Sequence, residues 1–84
     1  MRIYLQQRPL AGEQPRFYSI SLAQDLLGGW VLLREWGQPG GRNSAKRELF
    51  LDRDDAIKAL SSARDTQLKR GFQVMFAQGM DAPR

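Results

Sequence analysis

The sequence predicts an α+β fold in which a small β-sheet carries one α-helix across one face. Three observations point there. Four segments alternate apolar and polar residues with a period of two, and one later stretch follows helical spacing behind an acidic cap. A chain of 84 residues has room for a single thin core, so these elements must share it.

The first strand is expected over residues 2–7, where Ile3 and Leu5 alternate with Tyr4 and Gln6. This opening lacks the continuous apolar run of a signal peptide, so a cytoplasmic protein is expected. Residues 9–15 contain Pro9, Gly12 and Pro15, which break regular structure and predict a surface loop. The second strand, over 16–22, puts Tyr18, Ile20 and Leu22 on one face and Phe17, Ser19 and Ser21 on the other. Gly28-Gly29 introduces a third strand over 30–36, with Trp30, Leu32, Arg34 and Trp36 on one side and Val31, Leu33 and Glu35 on the other. Both faces are mixed, the pattern of a central strand covered by a helix on one face and partly covered on the other. After the Gly37-Gln38-Pro39-Gly40-Gly41-Arg42 turn, a fourth strand over 44–51 alternates Ala45, Arg47, Leu49 and Leu51 with Lys46, Glu48 and Phe50. It can pair with the third as a hairpin.

Asp52 then stands in N-cap position, with Asp54 and Asp55 in the first turn, where carboxylates accept free backbone N–H groups and complement the helix dipole. The helix is expected from about 53 to 70. Ala56, Ile57, Leu60, Ala63 and Leu68 fall near one side of it, while Lys58, Arg64, Asp65 and Lys69 point elsewhere. Lys69-Arg70-Gly71 closes it with basic charge and a glycine cap. Phe72, Val74 and Phe76 alternate with Gln73 and Met75, enough for a short strand or an extended tail on the sheet. One domain therefore spans 1–77, with 78–84 a flexible tail.

Composition removes most chemistry. The chain has no cysteine and no histidine, which excludes disulfides, thiol catalysis, zinc held by sulfur or imidazole, and a histidine base. No cofactor or metal is expected, because capping and the dipole account for the aspartates at the helix start. The glycine turn lacks the Lys-Ser/Thr ending of a phosphate loop and precedes a strand instead of a helix, so turn chemistry explains it. No apolar stretch approaches the roughly 20 residues needed to cross a bilayer. Thirteen basic residues, ten of them Arg, against nine acidic ones give a net charge of +4. The planar guanidinium fork suits phosphate or carboxylate, so the balance favours an anionic partner.

The sharpest candidate is Trp36, a large aromatic placed immediately before a glycine corner. It either fills the core beside the turn or offers its ring to a sugar or base, with Gly37 letting a nucleotide or another chain approach closely. Arg34, Arg42, Lys46 and Arg47 form a basic cluster around the hairpin, with Arg34 on the face of Trp36 and with Lys46 and Arg47 on opposite faces of the next strand. Trp30, away from the corner, is assigned to packing.

These residues, taken in order, resemble the WGR domain family, named for a Trp-Gly-Arg motif and found in some poly(ADP-ribose) polymerases and in short bacterial proteins. The resemblance rests on Arg16-Phe17-Tyr18, on Val31-Leu32-Leu33-Arg34-Glu35-Trp36-Gly37 leading to Gly40, and on Phe50 before the helix. Asp55-Ala56-Ile57 at the helix start and Lys69-Arg70-Gly71-Phe72 at its end complete it. It implies a compact antiparallel sheet of four or five strands with one helix across it, and a role in binding nucleic acid. The motif Trp, which in the polymerases packs on the sugar at a DNA end, carries over to Trp36. The motif Arg does not: Gln38 stands there, followed by Pro39, and an amide donates a hydrogen bond without charge. Arg42 is positioned to compensate from across the turn. The resemblance carries no polymerase activity to this chain.

The function expected is a non-enzymatic module that binds DNA or RNA, at ends or on single strands, with little sequence specificity. The binding residues expected are Trp36, Arg34, Gln38, Arg42, Lys46 and Arg47. The alternative is a protein-interaction module docking a partner chain, or another copy, through the same Trp corner, since Trp and Arg both anchor interfaces.

Overall fold

The computed structural model describes residues 1–8, 12 and 14–79. Five strands, β1 (Arg2–Gln7), β2 (Arg16–Gln24), β3 (Trp30–Gly37), β4 (Asn43–Phe50) and β5 (Phe72–Gln78), form one antiparallel sheet in the order β4-β3-β2-β1-β5. One helix among the described residues, α1 (Arg53–Lys69), lies across one face, packed on β2, β3, β4 and β5. One sheet and one helix make a slab 18 Å thin.

Alternation sorts β1 to β4 in the way the sequence predicts. In β5 an extra residue sends Phe76, opposite Tyr4, to the other face from Phe72 and Val74, against the expected alternation in step with them. Ile3 and Leu5 of β1, Tyr18, Ile20 and Leu22 of β2, and Leu32 of β3 point under the helix and are buried with Ala56, Leu60 and Ala63. Burying a side chain such as Leu5 or Leu60 stabilises the fold by about 1.5–3 kcal/mol each. Trp30 and Phe50, directly opposite each other in the hairpin, pack against the margin of this core, and Arg53 sits 5.9 Å over the Trp30 ring.

The helix begins where capping places it, for Asp52 is extended and its Oδ1 accepts the Asp54 N–H at 3.3 Å. Its inward stripe differs from the expectation in one position. Ala56, Leu60, Ala63 and Gln67 are buried, whereas Leu68 is 43% exposed. The spacing 56, 60, 63, 67 continues a single helical stripe, and residue 68 is turned about 100° away from it.

Residues 72–78 form a full edge strand on β1, with Met75 an extra residue in a bulge where the register shifts between Tyr4 and Leu5. Gln78, expected in a flexible tail, pairs with Arg2, and 80–84 lie outside the described residues. So do Pro9, Leu10, Ala11 and Glu13 of the predicted loop. The fourth strand stops at Phe50, one residue earlier than expected. The face of β3 that carries Val31, Leu33 and Glu35, expected to be partly covered, has no element over it among the described residues.

Candidate nucleic-acid interface

The hairpin β3–β4 turns through Gln38-Pro39-Gly40-Gly41. Pro39 and Gly40 occupy the central positions, Gly40 has φ +78°, and the Gly41 N–H donates to the Gln38 carbonyl at 2.9 Å, the geometry of a type II turn. Gly37 makes the crossing possible. At φ +153°, an added Cβ would lie 2.6 Å from the Arg42 carbonyl oxygen and collide with Asn43. The close approach that this glycine permits is therefore made by its own hairpin.

Trp36 stands between the core and the surface, half-buried beside the turn. Paired opposite Tyr18, it stacks on that ring with centroids 5.5 Å apart and planes within 11°, and Tyr18 in turn meets Phe72 edge-on at 6.2 Å. The same half-buried Trp36 lines an open cleft of about 810 Å³ at this end of the sheet. The cleft is walled by β3 and β4 on one side and by the ends of β1, β2, α1 and β5 on the other, through Gln7, Arg16, Gln67, Arg70 and Phe72.

Five of the six predicted binding residues come together there: Trp36, Arg34, Gln38, Arg42 and Lys46. Arg34 pairs opposite Lys46 across the hairpin, which puts both cations on the cleft face. Arg47, opposite Leu33, points to the other face of the sheet. Arg16 and Arg70 add two cations not among the predicted binding residues; they arrive from the start of β2 and the end of α1. The described residues lining the cleft thus include five cations and no carboxylate.

These cations are not equivalent. Arg34 Nη2 is bonded to Glu48 Oε1 at 2.6 Å, while its Nε is buried without an acceptor. The pair fixes the guanidinium and neutralises part of its field. Arg16, Arg42, Lys46 and Arg70 have no carboxylate within ion-pair distance among the described residues. Gln38, in place of a motif Arg, donates from Nε2 to the Gln14 carbonyl at 3.4 Å and so ties the turn to the segment before β2. The C-terminal end of α1 faces this region, and its partial negative charge is offset there by Lys69, by Arg70 and by the Gln7 amide, which caps the Arg70 carbonyl at 2.9 Å. A concave, positively charged surface with an aromatic ring in its wall suits a phosphate-bearing ligand with flat bases or sugars.

The family model of the WGR domain matches residues 1–77, and the chain belongs to that family, whose members are modules associated with nucleic-acid binding. The chain is also similar to an uncharacterized protein, y4dW, of Sinorhizobium fredii (strain NBRC 101917 / NGR234), with 26% identity over 72 residues that cover 86% of this chain and 35% of that protein. It therefore spans about a third of the length of this relative. No solved structure matches the chain.

Proposed function

We propose that this chain is a non-enzymatic module that binds DNA or RNA, at ends or on single strands, through the cleft at the Trp36 corner. The observation that carries the reading is the convergence of Arg16, Arg34, Arg42, Lys46 and Arg70 around Trp36 with no carboxylate among the described lining residues. Arg16, Arg42, Lys46 and Arg70, without an ion-pair partner among the described residues, hold phosphates, and Trp36 packs on a sugar or base. Little sequence specificity is expected, because only the C-terminal end of α1 borders the cleft, through Thr66, Gln67 and Arg70, and no helix runs along it to read the edges of base pairs.

The test is a titration of labelled blunt duplex, closed duplex, single-stranded DNA and matching RNA at low and moderate salt. Wild type is compared with Arg42→Ala and with Lys46→Ala, two exposed positions whose loss spares the core. Binding should weaken with salt, and each substitution should lower affinity for every sequence alike while reducing the salt slope by about 1. No binding to any form at low salt contradicts the reading and transfers the Trp corner to a protein partner.

A further inference from the structure

The sheet face opposite α1 has no element over it among the described residues, yet its side chains are not those of a purely solvated face. Tyr4 of β1 stands opposite Ser19 on one side and Phe76 of β5 on the other, and Phe17 of β2 stands opposite Gln6. Three rings therefore occupy three adjacent strands. Tyr4 and Phe17 lie nearly parallel, within 14°, at 6.1 Å, and Phe76 is 47% exposed. The Gln6 amide donates to the Tyr4 hydroxyl at 3.4 Å. On the same face Arg2, opposite Ser21, and Arg47, opposite Leu33, outweigh the one carboxylate that strand pairing places there, Glu35.

We propose that this outer face is a second nucleic-acid surface, taking unpaired nucleotides: Tyr4, Phe17 and Phe76 stack bases, and Arg2 and Arg47 hold phosphates. An antiparallel sheet with aromatic rings on its central strands is suited to splayed single strands, because every base has a π-face whatever its sequence. The polar residues between the rings favour this occupant over a protein. Sealing the Ser21 hydroxyl and the exposed Gln73 amide under an apolar protein surface leaves them without partners, whereas base edges bring donors and acceptors.

The inference rests on the cleft being a nucleic-acid site and extends it, since the two surfaces meet at one end of the sheet. Neighbouring residues serve them alternately. Gln7, Arg16 and Phe72 line the cleft, while Gln6, Phe17 and Gln73 stand on the outer face. A strand leaving a duplex end held at Trp36 needs only to turn that end of the sheet to reach the rings.

Three probes separate the two surfaces: a blunt duplex, the same duplex with a single-stranded overhang, and a short oligothymidylate. Tyr4→Leu, Phe17→Leu and Phe76→Leu keep apolar bulk and remove the ring, with circular dichroism to verify folding; ring-proton shifts of the wild type on oligothymidylate addition give a readout that needs no variant. The overhang should tighten binding at least about tenfold over the blunt end, and each leucine should cost about tenfold on the overhang and the oligothymidylate while leaving the blunt duplex unchanged. Equal affinity for blunt and overhung duplex, or a gain indifferent to the rings, overturns the proposal while leaving the cleft intact. Ring-dependent oligothymidylate binding, with blunt-duplex affinity unmoved by Arg42→Ala, retains the outer face and sinks the cleft. Ring-dependent self-association by sedimentation without any oligothymidylate binding overturns the proposal in favour of a protein contact.

Discussion

Trp36 shows how one residue serves the core and the site together. Its stacking on Tyr18 fixes the ring, and the fixed ring forms a wall of the cleft. Trp36→Ala should therefore lower both stability and nucleic-acid affinity, with about 2 kcal/mol lost from unfolding because the ring is only half-buried. Arg42→Ala, at an exposed turn position, should lower affinity with no more than about 0.5 kcal/mol change in stability. Urea unfolding and binding isotherms on the two variants separate these roles. The residue types of the site were legible where they sit on one hairpin: Trp36, Arg34, Gln38, Arg42 and Lys46 are near in sequence, and alternation alone sends Lys46 and Arg47 to opposite faces. Arg16 and Arg70 were not legible, because their arrival depends on strand register and on where α1 ends. Alternation puts Arg16 on the face of Tyr18, but that this face reaches the corner follows only from the pairing of Tyr18 with Trp36.

At the scale of the element, the β3–β4 hairpin is set by its glycines and the helix by its cap. Gly37→Ala should destabilise the protein by about 1–3 kcal/mol, since a Cβ there meets the Arg42 carbonyl and Asn43 and the backbone lies in a region that side chains rarely adopt. A thermal scan checks this; a melting temperature equal to wild type would show that the turn does not need its glycine. Strands β1 to β4 and the start of α1 were readable because alternation and capping are local. The inward Gln67 was not, because hydropathy favours the neighbouring Leu68, and only the continuous stripe from Ala56 places position 67 under the helix. Strand β5 remained ambiguous between strand and tail for a similar reason, since an edge strand buries little and its identity comes from pairing with β1.

At the scale of the molecule, the fold is a thin slab whose stability rests on one small core. Leu60, fully buried where α1 meets the sheet, should be among its most sensitive positions. Leu60→Ala is expected to cost about 2–5 kcal/mol, and in a domain of this size each kcal/mol lowers the melting temperature by about 4–8 °C. Charge is distributed as unevenly as packing, with five cations lining the cleft at one end of the sheet. If this end holds nucleic acid through phosphate contacts, as proposed, the affinity of the wild-type protein for duplex falls steeply with salt, and a salt titration reads it. Phosphate contacts from Arg16, Arg42, Lys46 and Arg70 predict a slope of log affinity against log salt of about −3 to −4, its magnitude falling by about 1 in Arg42→Ala. A slope near zero, or one that Arg42→Ala leaves unchanged, would contradict phosphate binding at the cleft.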